Sequence, residues 1–198
     1  MTRVNRNQSN QLRNQSNQLR IIAGQWRGRK LSFPDLPGLR PTSDRIRETL
    51  FNWLQADVRG ARCLDLFAGS GALGFEALSR GAADVVFVEN SQAIISQLKQ
   101  NLVALKDERG QMCRSDALLF VARDDVAPFD VVFLDPPFKK GLLEKSISAL
   151  QASGCLKTGS LIYIESEKTL DIRTPENWQN LKEKKAGQVK YGLYEVAG

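Results

Sequence analysis

The sequence contains no histidine, and only three of its 198 residues are cysteine. Without histidine, Ser-His-Asp and Cys-His nucleophilic catalysis are excluded, and so are the usual ligand sets of zinc hydrolases. Cys63, Cys113 and Cys155 are widely spaced in apolar stretches, so we interpret them as buried thiols in a reducing compartment. We therefore predict no metal site, and any chemistry must use carboxylates, amides, backbone groups or a cofactor.

Long apolar runs are also missing, since none approaches the roughly 20 residues that cross a bilayer. The first residues are polar and lack an apolar signal core, so we expect a cytoplasmic protein that does not enter a membrane. The length of 198 residues and the 42% hydrophobic content suffice for one domain with a sizeable core, plus a small appendage. The oligomeric state is left open, a monomer being the simplest expectation.

Positive charge is concentrated in the first third of the chain. Residues 1–62 carry 12 of the 28 lysines and arginines but only 4 of the 22 aspartates and glutamates. A basic segment on a near-neutral body is typical of proteins that bind a polyanion, most simply a nucleic acid. A solvated basic tail is the alternative interpretation of the same pattern.

The chain divides into three predicted parts. A tandem repeat of NQSNQLR occupies residues 7–20, and its single leucine per heptad cannot form a coiled-coil seam, so we predict a disordered polar tail over 1–19. Residues 20–41 are predicted to form a basic β-hairpin and a connector rich in proline and glycine. Residues 42–198 are predicted to form the main domain, beginning with a helix over 42–55.

From residue 61 onward, apolar strands alternate with helices. The strands show no polar alternation, as expected for a parallel sheet that is buried on both faces. This order predicts a doubly wound, Rossmann-like α/β domain with a mostly parallel seven-stranded sheet. The segment around Ala186-Gly187 breaks the pattern and is predicted to be a C-terminal antiparallel hairpin at the sheet edge.

The glycine-rich stretch FAGSGALGFE contains Gly69, Gly71 and Gly74 at the spacing of a dinucleotide-binding turn. Asp65 ends the preceding strand, where it would repel a pyrophosphate but would suit the cationic groups of S-adenosylmethionine. Glu89, 20 residues after Gly69, can accept hydrogen bonds from ribose hydroxyls, a role shared by NAD and S-adenosylmethionine sites.

Asp116 follows the third strand and is placed to bond the adenine amino group of such a cofactor. Each acid also has a structural interpretation: Asp65 as a helix cap, Glu89 as a solvated strand end, and Asp116 as the N-cap of the next helix. Three acids at three successive strand ends, with glycines at the first, favour a cofactor site.

The stretch VVFLDPPFKK suggests the chemistry. Its two prolines fix the backbone and remove two N–H donors, which leaves the Asp135 carboxylate and the Pro136 carbonyl as a rigid row of acceptors. These can accept both N–H groups of an exocyclic amine on a nucleobase, while Phe138 stacks on the ring. The alternative is a tight Pro-Pro turn after a buried strand, with Phe138 in the core.

The motifs LDLFAGSGALG, VEN and DPPF resemble class I S-adenosylmethionine-dependent methyltransferases that modify exocyclic amines. Together with RIIAGQWRGRKL, LRPTSDRIRETLFNWL, DPPFKKGLLE and YIESE, they resemble the RsmD family, bacterial enzymes that methylate the N2 amine of one guanine in 16S rRNA. The resemblance runs from about Arg20 to Tyr194. It implies 16S rRNA as substrate, either naked or within a small-subunit particle, and a target guanine flipped out of its stack.

The resemblance also implies roles for individual residues. Catalysis is expected at Asp135, Pro136, Pro137 and Phe138, with Asp135 accepting the proton. S-adenosylmethionine contacts are expected at Asp65, Phe67, Ala68, Gly69, Ser70, Gly71, Glu89, Asn90, Asp116 and Ala117. Closure over the methionine carboxylate is expected from Arg40, Thr42 and Arg45. RNA contacts are expected at Arg20, Trp26, Arg27, Arg29, Lys30, Lys139 and Lys140.

Several alternatives remain at this stage. Arg45 and Arg47 are equally interpretable as a solvated helix face, and Tyr191 is better interpreted as core packing than as pocket lining. An adenine-N6 methyltransferase would use the same chemistry, and family resemblance alone favours guanine. A nicotinamide-dependent oxidoreductase fits the glycines but leaves Asp65 and the DPPF motif unexplained. A non-catalytic RNA-binding protein would not need the intact acidic positions.

Overall fold

The N-terminal hairpin begins earlier in the chain than the sequence indicates. The structure, a computed structural model, describes residues 17–198, so residues 1–16 of the predicted tail lie outside the described residues. Strand β1 (Asn17–Arg20) pairs antiparallel with β2 (Lys30–Phe33). The predicted tail boundary at residue 19 is therefore wrong. Leu19 lies opposite Leu31 and is buried in the core, and this apolar contact holds a polar segment in a strand.

The predicted alternation of strands and helices is confirmed. The elements of the main domain are, in chain order, α1 (Asp44–Trp53), β3 (Arg62–Asp65), α2 (Ala72–Ser79), β4 (Asp84–Glu89), α3 (Gln92–Leu105), β5 (Gly110–Arg114), α4 (Ala117–Val121), β6 (Val131–Leu134), α5 (Leu142–Ala152), β7 (Leu161–Glu167), β8 (Trp178–Ala186) and β9 (Val189–Val196).

The strands form a seven-stranded sheet in the order β5-β4-β3-β6-β7-β9-β8. Strands β3 to β7 are parallel, and β9 is antiparallel to both β7 and β8, so the predicted C-terminal hairpin is confirmed. The chain builds the sheet outward from β3 on one side and then crosses over to β6 on the other. Ligands of such folds bind at this switch point, beyond the carboxyl ends of the strands.

Two apolar layers cover the sheet. Neighbouring residues of a strand point to opposite faces, so Cys63 packs in one layer and Leu64 in the other. The first layer lies under the hairpin, α1, α2 and α3, and the second lies under α4 and α5. Within residues 17–198, none of the helices has the length and apolar content that crossing a bilayer requires.

Helix α1 begins at Asp44, two residues after the predicted start, because the Ser43 hydroxyl caps it by accepting the backbone N–H of Ile46. The interpretation of Arg47 as part of a solvated helix face is wrong, because only 1% of Arg47 is exposed. Its guanidinium donates to the Arg20 carbonyl oxygen at 2.8 Å and to Asp44 at 2.7 Å. The hairpin covers this side of α1, and it thereby makes a surface position an interior one.

The hairpin is attached to the main domain through a buried carboxylate. Glu76 of α2 is fully buried, and its two oxygens accept the backbone N–H groups of Ile22 at 2.9 Å and Ala23 at 3.0 Å. Arg80 donates to the same carboxylate at 2.8 Å, and an Arg47 nitrogen lies 3.5 Å from it. The negative charge of Glu76 is thus balanced inside the protein by two guanidinium groups.

Candidate functional site

The glycine loop lies where β3 ends, beside the end of β4. Gly69 and Gly71 have φ angles of +48° and +76°, a region that favours glycine. The backbone N–H of Gly69 donates to one Glu89 oxygen at 3.2 Å, and Ser91 N–H donates to the other at 2.9 Å. Glu89 is half-buried. Its carboxylate is therefore held in a fixed position at the strand end, next to the loop that the sequence predicts to bind a cofactor.

Asp65 acts as a helix cap, as one of its two interpretations predicts. Its carboxylate is 3% exposed and accepts the backbone N–H of Gly74, in the first turn of α2, at 3.0 Å. Burial, together with the charges of Asp135 and Glu89, raises the pKa of Asp65 to about 7, against the opposing effect of the Gly74 hydrogen bond. The contact with the cofactor cation remains a prediction.

These two carboxylates also determine which ligand the loop suits. In a dinucleotide site, the N–H groups at the start of the helix point at a phosphate. Here the N–H of Gly69 is bonded to Glu89 and the N–H of Gly74 to Asp65. A phosphate at either of these two N–H groups would have to displace a carboxylate and sit beside its charge, so the two acids favour a cationic ligand without phosphate.

Asp116 is exposed and is the N-cap of α4, where one of its oxygens accepts the N–H groups of Leu118 and Leu119 at 2.8 and 3.2 Å. The capping interpretation is thus confirmed, and the proposed bond to adenine stays a prediction. Asn90 is exposed next to Glu89, and Phe67 is half-buried beside the loop. The remaining predicted contacts lie buried in or just after the loop or at the start of α4: Ala68, Ser70, Gly71 and Ala117.

Asp135 follows β6 directly, at the same sheet edge as Asp65 and Glu89. The Thr42 hydroxyl donates to its carboxylate at 3.2 Å. Burial raises the pKa of Asp135, and the Thr42 hydrogen bond acts against this rise. Sequence reasoning expected Thr42 near the methionine carboxylate of the cofactor, whereas the structure has it on the candidate catalytic acid.

The last two residues of the DPPF motif form an exposed rim. Pro136 is buried, Pro137 is exposed and Phe138 is 37% exposed, so the alternative that places Phe138 in the core is wrong. The N–H of Lys139 donates to Glu167 of β7 at 2.6 Å, which fixes the segment to the neighbouring strand. The Phe138 ring is accordingly available to contact a flat ligand beside Asp135.

Glu165 is a residue of the site that sequence reasoning missed. It lies on β7 beside Asp135, is 6% exposed and accepts a hydrogen bond of 2.7 Å from the Tyr163 hydroxyl. Burial and the nearby charge of Asp135 raise the pKa of Glu165. The one available signal was a charged residue inside an otherwise apolar strand, LIYIESE.

Aromatic side chains lie next to this pair of acids. Tyr191 of β9 is opposite Glu165 in the strand register, and its ring stacks on Trp53 of α1 at 5.5 Å. Tyr191 is 3% exposed, so its interpretation as core packing is confirmed. The Lys184 ammonium lies 6.0 Å from the centre of the Trp53 ring, on the solvent side of the cluster.

The connector crosses the glycine loop. Leu39 of the connector is so close that a Cβ added to Gly69 would lie 3.1 Å from a methyl carbon of Leu39. Arg40 and Arg45 are both exposed. Arg40 lines an open groove of about 620 Å³ between the hairpin and the connector, formed by residues Asn17, Phe33 and 35–41. Closure of these arginines over a cofactor stays a prediction.

The structure separates the predicted RNA-binding residues into two groups. Lys139 and Lys140 are exposed beside Phe138, at the carboxyl edge of the sheet. The hairpin turn instead packs on Ser79, at the end of α2 that lies at the amino edge. The hairpin carries four exposed basic residues, Arg20, Arg27, Arg29 and Lys30. Three of them, Arg27, Arg29 and Lys30, are in or next to the turn and therefore lie far from Asp135.

Trp26 is a correction to the predicted RNA surface. It is 6% exposed, its backbone N–H donates to the Ser79 hydroxyl at 3.0 Å, and the Arg109 guanidinium lies 5.8 Å from its ring centre. The ring fills the core between the hairpin turn and the main domain, because burying its large apolar surface is favourable. Its contribution is thus to hold the hairpin, and it is not available to stack on a base.

Comparisons with known proteins agree with this geometry. The family model described as "Conserved hypothetical protein 95" matches residues 19–195. The chain is 53% identical over 196 residues to Ribosomal RNA small subunit methyltransferase D of Escherichia coli strain K12, covering 98% of this chain and 95% of that protein. The chain belongs to the RsmD family of class I S-adenosylmethionine-dependent methyltransferases. The family assignment covers the hairpin as well as the main domain, since the match begins at residue 19.

Further members show the same relationship. The RsmD family protein of Haemophilus influenzae, also named Ribosomal RNA small subunit methyltransferase D, is 52% identical over 178 residues, which are 88% of this chain and 92% of that protein. The solved structure of the Escherichia coli protein yhhF superposes with a TM-score of 0.84 at 50% identity, and the match covers 92% of this chain and 99% of that chain. The Rossmann-like fold predicted from the sequence is thereby confirmed.

Proposed function

We propose that this RsmD family member transfers a methyl group from S-adenosylmethionine to the exocyclic N2 amine of one guanine in 16S rRNA. The observation that supports this most directly is the half-buried Asp135 carboxylate at the switch point, which is followed in the chain by two prolines and an exposed phenylalanine. Relatives that are 53% and 52% identical are named for methylation of small-subunit ribosomal RNA. The proposal includes a cytoplasmic location, because small ribosomal subunits are assembled there.

The residues at the glycine loop fit the cofactor. S-adenosylmethionine carries positive charge and no phosphate, which matches a site where the N–H groups of Gly69 and Gly74 are already bonded to Glu89 and Asp65. Glu89 would hold the ribose and Asp116 the adenine, and Asp65 would lie under the cationic end. A cofactor bound there would supply an electrophilic methyl group to the amine that Asp135 holds.

The chain's own part in the reaction is to orient the amine and accept its proton. Asp135 and the Pro136 carbonyl would each accept one N–H of the guanine amine, which directs the nitrogen lone pair away from the purine ring. Phe138 would stack on the flipped base. The amine becomes acidic once it is methylated, so Asp135 can take the proton directly or through water without being a strong base.

The RNA would approach over the exposed residues beside Asp135. Lys139 and Lys140 lie next to Phe138 and supply positive charge for the phosphates that flank a flipped nucleotide. The basic residues of the hairpin turn lie at the other edge of the sheet, so they would contact a distant part of a large substrate. A small-subunit particle offers such an extended surface, and we propose it as the substrate.

The test is methyl transfer from labelled S-adenosylmethionine to 30S particles and to naked 16S rRNA, both from cells lacking the endogenous activity, followed by nucleoside analysis. We expect label in N2-methylguanosine, and no turnover by Asp135→Ala with binding of S-adenosylmethionine largely retained. Label in N6-methyladenosine would overturn the guanine assignment and keep the chemistry. Equal loss of turnover and cofactor binding in Asp135→Ala would contradict the role of Asp135.

A further inference from the structure

A second carboxylate lies beside the candidate catalytic acid, and the proposed reaction gives it no role. Strands β6 and β7 are parallel neighbours with Leu134 opposite Ile164, so Asp135 and Glu165 follow at the same edge. The side chains of Phe133 and Tyr163, two residues earlier, both pack in the layer beneath α1. Because side chains alternate along a strand, Glu165 is on the same face as Tyr163, and Asp135 reaches Thr42 at the start of α1.

Glu165 has few hydrogen-bond partners for a carboxylate that is only 6% exposed. A buried carboxylate is normally surrounded by several donors or paired with a cation. Within residues 17–198, the Tyr163 hydroxyl is the one donor to Glu165, and it bonds only Oε2. Its other near neighbours are the Asp135 carboxylate and the Tyr191 ring, neither of which supplies positive charge. Oε1 has no hydrogen bond within these residues but is not fully shielded from solvent, so a ligand at the edge where the proposed reaction places the amine can reach it.

The base edge that would enter this place carries a matching donor. In guanine, the N2 amine is adjacent to N1–H, so the Watson–Crick edge presents a third donor beside the two amine hydrogens. In adenine, the neighbour of the exocyclic amine is an unprotonated N1, which is an acceptor. A third acceptor placed next to Asp135 and Pro136 would thus bind guanine and repel adenine.

We propose that Glu165 accepts the N1–H of the target guanine through Oε1 and is the residue that selects guanine over a base with an unprotonated N1. The inference rests on the proposed function and names how its substrate is chosen. Tyr163 holds Oε2 and so orients the carboxylate. Selection requires the ionised carboxylate, because a protonated carboxyl would donate to an unprotonated N1. The Tyr163 hydroxyl and the guanine N1–H both favour the ionised form, against the burial and the Asp135 charge that raise the pKa of Glu165.

The experiment uses 2-aminopurine, which keeps the N2 amine but has an unprotonated N1. Substrate particles are reconstituted with 16S rRNA ligated to carry either guanine or 2-aminopurine at the target position. The ratio of kcat/KM for the two bases is measured for the full-length protein and for Glu165→Gln. We expect the unsubstituted protein to prefer guanine by about tenfold or more, and Glu165→Gln to lose most of that preference because an amide can donate to N1.

Two further variants keep the result interpretable. Glu165→Met has a similar shape but no acceptor, so it should reduce methylation of guanine by about tenfold and leave 2-aminopurine unchanged or improved. Glu108→Gln makes the same chemical change at an exposed position at the amino edge of the sheet and should leave the ratio unchanged. Binding of S-adenosylmethionine, measured by calorimetry, should be unaltered in all three variants.

The outcomes separate this inference from the function on which it rests. If the unsubstituted protein transfers no label to N2 of the target guanine, the proposed function fails. If it does so, but Glu165→Gln and Glu165→Met keep the original ratio or lose activity equally on both bases, only the role of Glu165 is overturned. A ratio that collapses in these variants and persists in Glu108→Gln supports it.

Discussion

The hydroxyl of Thr42 donates a hydrogen bond of 3.2 Å to the carboxylate of Asp135, across 93 positions of the chain. Thr42 lies between the connector and α1, whereas Asp135 follows the strand at the switch point. The N-terminal part of the molecule thus reaches the candidate catalytic acid directly. The bond favours the ionised carboxylate, and it opposes the burial that raises the pKa of Asp135.

Thr42→Val should move the pH dependence of methyl transfer to higher pH. The variant keeps the shape of the side chain but removes the donor, so the pKa of Asp135 rises further and a higher pH is needed to ionise it. We expect a shift of the acidic limb of kcat by about one pH unit or less. The profile is measured with saturating S-adenosylmethionine and RNA. Thr49→Val, which removes only a bond to the Arg45 carbonyl in the same helix, is the control, and an unmoved profile in Thr42→Val would contradict the role.

The stability of the ligand-free protein should fall as the pH rises from about 4 to about 7. The pKa of Asp65 is about 7 in the folded protein, against an ordinary value of 3.8. The folded state therefore binds a proton that the unfolded state releases, and the stabilisation present at low pH is lost as the pH rises through 7. Each unit of such a shift corresponds to about 1.4 kcal/mol.

Urea unfolding of the ligand-free protein at a series of pH values measures this dependence. Asp65→Asn cannot ionise, so it should reduce the slope and be at least as stable as the unsubstituted protein at pH 8, whereas the exposed Asp57→Asn should keep the original slope. A slope left unchanged in Asp65→Asn would assign the effect to Asp135 and Glu165, the other carboxylic acids of residues 17–198 whose pKa is raised.

Glu76→Gln should loosen the hairpin. The change removes the negative charge that balances the buried Arg47 and one of the two acceptors for Ile22 and Ala23. Breaking a buried pair on one side typically costs about 3–5 kcal/mol. Denaturant unfolding gives the loss, and amide exchange at residues 22 and 23 shows whether it is local. The exposed Glu48→Gln on α1 should cost less than about 0.5 kcal/mol, and a similarly small cost at Glu76 would refute the anchor.

Gly74→Ala should destabilise the protein through packing. A Cβ at position 74 would lie 2.2 Å from the Phe87 ring, in the interface between α2 and β4. Forcing an extra methyl group into a packed core costs about 1–3 kcal/mol. Phe87→Leu makes room, so the double variant should be more stable than the sum of the two single changes predicts. If the stability losses of the two single variants simply add up in thermal unfolding of the double variant, the contact with Phe87 is not the reason for a glycine at position 74.

The sequence contains the fold class and the outline of the site because both depend on local patterns and on topology. In a parallel sheet, acids that follow the carboxyl ends of the strands lie at the same edge. The alternation of strands and helices therefore predicts that Glu89 and Asp135 lie close together. Arg47, Trp26 and Glu165 could not be predicted in the same way. Their burial depends on elements that are distant in the chain and cover them. A charged or aromatic residue in a local sequence pattern does not indicate by itself whether its side chain is at the surface or in the core.

The order of the strands in the sheet determines when each part of the carboxyl edge can form during synthesis of the chain. Strand β9 lies between β7 and β8, so β8 has no place in the sheet until residues 189–196 have been made. Before residues 189–196 are made, a growing chain can already form the part of the carboxyl edge that β3 to β6 contribute. The half that contains Tyr191 forms only after β9 inserts, and such late non-local pairing slows folding. In a growing chain, the glycine loop can therefore form before the part of the edge that carries Tyr191.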